Sequence, residues 1–127
     1  MPIVDYAALP EFPMRPGIEG KWLAGREHGS STLSVLTNVV EPNRRVPRHY
    51  HDYEEVILVE TGRVWVDLGE ESFSLSPGQA AIVPPNTLHA WGNDGPDVAR
   101  VLFVWPVLDP FAPGNTTYVE GSPPRVS

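Results

Sequence analysis

Eight short runs rich in β-branched and aromatic residues follow one another through the middle of the chain, at 32–40, 46–51, 55–60, 63–68, 72–75, 80–83, 89–91 and 98–105. Turn residues close each run, and almost no helical periodicity interrupts them. Strands this short and this regular bury themselves only by closing on one another, as a sandwich or a barrel. With 127 residues and no cysteine, the chain is expected to form a single domain over 1–127, with a core that needs no disulfide staple. The barrel core is expected over about 20–106.

The flanks read differently. Residues 1–19 carry prolines at 2, 10, 13 and 16 among Ile3, Tyr6, Leu9, Phe12 and Met14, and 107–127 carry Pro110, Pro113, Pro123 and Pro124. Proline at that density excludes a stable helix, whereas the apolar content argues against simple disorder. Both segments are expected as arms laid on the barrel or on a partner subunit, with the last residues fraying.

The chemistry concentrates in two stretches. The first is His49-Tyr50-His51-Asp52-Tyr53-Glu54-Glu55, followed by Gly62; the second runs from Gly78 through Pro84 and Asn86 to His89 and Asn93. Side chains alternate along a strand, so His49 and His51 project to one side as a chelating pair. Glu55 is placed at the start of the next strand, facing back across a short turn, and His89 begins its own strand after the Pro84-Pro85-Asn86 turn. Imidazole and carboxylate suit iron(II), manganese, nickel, cobalt, copper or zinc, with no thiolate to narrow the choice. Four such ligands close a tetrahedral site but leave two positions open on an octahedral ion. The fourth histidine, His28, belongs to neither stretch and is expected at the surface.

These two stretches resemble the paired motifs of the cupin superfamily: His49-x-His51, Glu55 and Gly62, then Gly78, Pro84, Asn86, His89 and Asn93. Asn43 and Asn86 stand where the motifs often have glycine, and asparagine tolerates the left-handed backbone better than most residues. The resemblance implies a double-stranded β-helix, or jelly-roll, barrel holding one divalent metal ion per chain on His49, His51, Glu55 and His89, iron(II) favoured. It leaves the reaction open, because the superfamily includes dioxygenases, isomerases, decarboxylases, lyases, cyclase-like enzymes and binding proteins. The 49–56 stretch also resembles the zinc motif of auxin-binding proteins.

A small metal-dependent enzyme acting on an oxygen-bearing molecule is the leading expectation, with dioxygenase-type oxidoreductase chemistry placed first and isomerisation, cyclisation or elimination behind it. A non-catalytic ligand-binding metalloprotein is the alternative, and a structural metal the third. Trp91 shares the parity of His89 and is expected beside the metal. Tyr53 is a candidate proton donor, and Arg48, with Arg44 and Arg45, a candidate rim for an anionic substrate. Sixteen acidic against nine basic residues, a formal charge of −7, argue against nucleic acid as a partner. No secretory leader and no run of roughly 18 apolar residues is visible, so a cytoplasmic protein without membrane contact is expected. On the strand from residue 55, Ile57 and Val59 share the face of Glu55 while Val56 and Leu58 face out, so both sides need cover and a homodimer is expected.

Overall fold

Period-two alternation decides the strands. From residue 55, Glu55, Ile57 and Val59 are buried, and from residue 99 the buried set is Ala99, Val101, Phe103 and Trp105. Each set lies on one face of its strand, which gives that face a reason to pack. The computed structural model describes residues 3–127 and arranges their strands in two antiparallel sheets. In chain order they are β1 (Phe12–Arg15), β2 (Ile18–Ala24), β3 (Ser34–Val40), β4 (Arg44–Tyr50), β5 (Glu55–Thr61), β6 (Val64–Leu68), β7 (Glu71–Leu75), β8 (Ala80–Val83), β9 (His89–Asn93), β10 (Ala99–Trp105) and β11 (Thr117–Tyr118). One sheet runs β1-β2-β3-β10-β5-β8 and the other β11-β4-β9-β6-β7. The jelly-roll expectation is met. Leu36, Ile57, Val64, Val66, Val83 and Val101 fill the space between the sheets, each at most 1% exposed. A fully buried side chain of this kind contributes about 1.5–3 kcal/mol.

Strand formation begins at Phe12 rather than near residue 20, which corrects the reading of 1–19 as an arm. β1 and β2 extend the six-stranded sheet beyond β3. Pro13 is tolerated because β1 is the edge strand, where a missing N–H interrupts no ladder. Pro16 and Gly17 make the turn, with Gly17 at φ +74, a backbone that suits glycine after proline. At the other end, the expected fraying is not observed: the Arg125 N–H donates to Met14 O at 3.1 Å, and Trp22 Nε1 donates to Val126 O at 2.9 Å.

Asn43 and Asn86 adopt φ +64 and +60 and are the two non-glycine residues with positive φ among the described residues. Both therefore do what motif glycines do in such turns. Asn93 clamps the loop after β9, donating to Val40 O and Asp97 O and accepting from the Gly95 N–H. On the outside of the six-stranded sheet, Val56 pairs with Ile82 across β5 and β8. Leu58 is 36% and Ile82 60% exposed there, so the described residues leave this strip uncovered. No helix among the described residues is long and apolar enough to cross a membrane.

Candidate metal centre

The ligand residues come from both sheets. His49 lies in β4 and His89 in β9, directly paired across the five-stranded sheet, while Glu55 opens β5 in the other sheet. Regular alternation would put Val46 and His49 on opposite faces, yet both are buried. The β4–β9 register shifts between them, and such a bulge re-aims the side chains beyond it. Pro47, which has no N–H to lose, sits at that irregularity. His51 follows the end of β4 and keeps the parity of His49.

Each histidine is oriented by backbone close to it in sequence. Nδ1 of His49 lies 2.7 Å from Pro47 O, Nδ1 of His51 2.7 Å from Tyr53 O, and Nδ1 of His89 2.8 Å from Thr87 O. A carbonyl only accepts, so each Nδ1 carries the proton and each Nε2 is left as the coordinating atom. His49, Glu55 and His89 present ligand atoms all within 4.8 Å of one another. His51 approaches the group from the side of Glu55, its Nε2 3.0 Å from Glu55 Oε1. With Nδ1 already protonated, that contact needs either a second proton on the ring or a cation in its place. His89 Nε2 stands 3.8 Å from Glu55 Oε1, too far for a hydrogen bond, and is buried without a partner. An orphaned imidazole nitrogen aimed at a carboxylate and two further imidazoles fits a divalent ion of the nitrogen- and oxygen-liganded kind.

The electrostatics agree. Burial above all, then repulsion from His89, lowers His49 to about 4, so the ring is neutral near pH 7, as a ligand must be. Burial alone would raise the Glu55 carboxyl, but the His51 contact and the positive character of the neighbouring rings hold it well below the usual carboxylate range. For His89, burial works downward and the Glu55 carboxylate outweighs it, leaving the ring above its ordinary value. A buried carboxylate facing imidazoles thus favours positive charge between them.

A cavity of about 30 Å³ adjoins the ligands, and Trp91, Phe103, Trp105, Phe111, Arg15 and Tyr118 are among its walls. Trp91, the expected neighbour of the ligands, is one of these lining residues. Trp105 was not foreseen: its Nε1 donates to Glu55 Oε1 at 2.6 Å, the same oxygen that His51 Nε2 approaches. β10 presents Phe103 and Trp105 inward. Tyr53 stacks on the His51 ring at 4.4 Å between centroids, and its hydroxyl donates to Pro110 O at 3.0 Å. Burial pushes that phenol up to about 12, and its proton is committed to Pro110 O in the C-terminal segment. Arg48 does not line the cavity; its backbone N–H, like the Arg45 guanidinium, is bound by Glu120. His28 is half-buried, not exposed, and borders a separate hollow of about 500 Å³ that shares Phe111 with the metal pocket.

The C-terminal segment completes the site. Tyr118 in β11 pairs with His49 and stacks on its ring at 4.9 Å, and His49 in turn lies 4.1 Å from the His89 ring. Three aromatic rings from three adjacent strands thus stand in a row across the sheet. Burial raises the Tyr118 phenol above its ordinary value against the pull of Arg15.

Comparison with known proteins matches this geometry to a family. The chain is 35% identical over 91 residues to a polyketide synthase, CurC, of Streptomyces cyaneus, covering 70% of this chain and 57% of that one. It therefore spans little more than half the length of that relative. Protein SchB of Streptomyces halstedii is 32% identical over 112 residues, covering 87% of this chain and 79% of that protein. Among solved structures, the polyketide cyclase RemF of Streptomyces resistomycificus superposes with a TM-score of 0.79 at 21% identity, over 96% of this chain and 87% of that one. KdgF of Halomonas sp. gives 0.72 at 23%, over 82% and 92%; both likenesses concern the fold. The family model described as the cupin domain matches residues 37–105, more than half of the sequence. With both motifs, the two-sheet barrel and the histidine-carboxylate cluster in place, the chain belongs to the cupin family.

Proposed function

We propose that the protein is a metal-dependent cyclase, closing a ring in an oxygen-rich polyketide-type chain by aldol-type condensation. This places cyclisation ahead of the dioxygen chemistry that was the first expectation from sequence. The carrying observation is the cavity: a polar ligand cluster adjoins walls made by Trp91, Phe103, Trp105 and Phe111, which suit a reacting carbonyl end and a flat carbon skeleton respectively. The similarity to CurC and SchB, and the fold shared with a protein described as a polyketide cyclase, support the same substrate class. A bound divalent ion would supply Lewis-acid polarisation of a substrate carbonyl oxygen.

The chain's own residues do the remaining work. Trp105 and His51 fix the Glu55 carboxylate, and the apolar walls exclude water and hold the folded substrate so that its reacting carbons lie close. In the reaction a carbon between two carbonyls gives up a proton, a carbon–carbon bond forms to a second carbonyl carbon, and a proton returns to the new oxygen. Loss of the new hydroxyl with a neighbouring proton, as one water, then leaves a double bond in the closed ring, and no oxidant is consumed. Metal-loaded protein given a poly-β-ketone substrate should form the dehydrated ring equally in air and under anaerobic conditions, read by mass spectrometry. Oxygen uptake with oxygen incorporated into product would return the site to dioxygenase chemistry. Tight binding with no turnover would make it a ligand-binding protein.

The same reading includes a homodimer through the outer strip of β5 and β8. Leu58 and Ile82 are the observation behind it, since an uncovered apolar strip beside an edge strand invites pairing. Light scattering should return twice the 14.0 kDa chain mass; a single-chain mass at high micromolar concentration would end the proposal.

A further inference from the structure

Arg15 lies at the end of β1, far in sequence from either motif, yet it borders the same cavity as His49, His51 and Glu55. Its guanidinium carbon sits 5.3 Å from the centre of the Tyr118 ring, the ring that stacks on His49. One terminal nitrogen, Nη2, is buried and has no hydrogen-bond partner. A guanidinium does not shed its charge, so a buried N–H of this kind is costly until an acceptor meets it. The π face of Tyr118 offsets part of that cost but accepts no in-plane hydrogen bond.

The Tyr118 phenol feels Arg15 through a hydrogen bond and its charge, yet no residue lining the cavity meets Arg15 Nη2. Glu55 is the one carboxylate among the lining residues, and its Oε1 is already held by His51 and Trp105. With a divalent ion on the neutral histidines, positive charge in the pocket outweighs that single carboxylate, although the chain as a whole carries −7. A local excess of one sign in a low-dielectric pocket selects a ligand of the other. We infer that Arg15 binds an oxyanion of the substrate, a carboxylate or an enolate oxygen, while a neighbouring oxygen faces the ligand cluster. The inference rests on the metal-pocket reading above and narrows its substrate class to anionic, oxygen-chelating molecules. Arg15 is then a specificity residue.

The test uses the full chain, metal-loaded and metal-free, with salicylate, its neutral isostere salicylamide, and catechol, followed by quenching of the tryptophans that line the cavity. In Arg15→Gln, the dissociation constant for salicylate should rise about tenfold or more, since charge-assisted hydrogen bonds are roughly twice as strong as neutral ones. Salicylamide should change less than twofold. A matching loss for catechol assigns an enolate-type oxygen, and no loss for catechol assigns a carboxylate; either supports the oxyanion role. Equal loss for salicylate and salicylamide would reduce Arg15 to packing, and unchanged salicylate affinity would remove it from the site; both overturn the inference. Should Arg15→Gln not fold, Arg15→Lys keeps the charge without the fork, and it should retain a preference for salicylate over salicylamide in metal-free protein. Loss of that preference would be equally fatal. Because the metal-free arm reads Arg15 alone and turnover is not the readout, failure here and failure of the cyclase reading stay distinguishable.

Discussion

Replacing His89 by alanine is expected to lower the affinity for a divalent ion about a hundredfold or more. Structural zinc sites are worth about 10–16 kcal/mol in total, so one of four ligands carries roughly 3 kcal/mol. His89 Nε2 has no other partner to satisfy in the metal-free chain, which makes it the cleanest ligand to delete. His51→Ala should act similarly. Trp105→Phe should fall between these and wild type, with a loss of about 10–100-fold, because it removes the 2.6 Å hydrogen bond that orients Glu55 while leaving every ligand present. Metal content by mass spectrometry of untagged protein, with chelator competition, gives the order. Full occupancy in the His49→Ala/His51→Ala double variant would sink the ligand assignment, and a Trp105→Phe protein indistinguishable from wild type would remove Trp105 from it.

The second large effect is on stability. In Gly62→Ala, an added Cβ would stand 2.7 Å from Ala99 Cα and 2.8 Å from Val98 O, and the residue would be held at φ +77. Left-handed backbone costs about 1–2 kcal/mol, and overpacking against main chain, which does not yield, adds about 1–3 kcal/mol. The midpoint of thermal unfolding should fall by about 10 °C. Gly78 is the control. It shares the positive φ, at +86, but has nothing within 4 Å of the added carbon, so Gly78→Ala should show the backbone part alone, about 1–2 kcal/mol. Equal destabilisation of the two would mean that the contact with Ala99 contributes nothing.

The candidate ligands were legible in the sequence because metal binding demands particular atoms, and the structure gathers His49, Glu55 and His89 within reach of one ion with His51 beside them. Asn43 and Asn86 were legible for a similar reason: a left-handed turn narrows the choice of residue to very few. Arg15, Trp105 and Tyr118 were not. Each meets the site through pairing between distant segments, and the Trp105–Glu55 bond, for instance, joins residues fifty positions apart. No local period encodes such a contact. β1 was missed because proline counts against a strand, and only topology reveals that Pro13 lies on an edge where it does no harm. The Pro16-Gly17 dipeptide was the signal available for its hairpin with β2. Arg48 misled because its neighbours are basic and precede His49, but its side chain lies outside the cavity wall.

One wall of the metal pocket is the chain's own C-terminal segment: Phe111, Thr116, Tyr118 and Pro124 all border a space of about 30 Å³, room for about one water. Any larger guest competes with that segment for the same surface. Occupancy then depends on two equilibria in series, the lifting of residues 111–124 and the intrinsic grip of the exposed pocket, and the observed affinity is the second scaled by the fraction lifted. A change at Trp22, whose Nε1 fastens Val126 just beyond that segment, would thus shift how tightly ligands are held without touching a single candidate ligand atom.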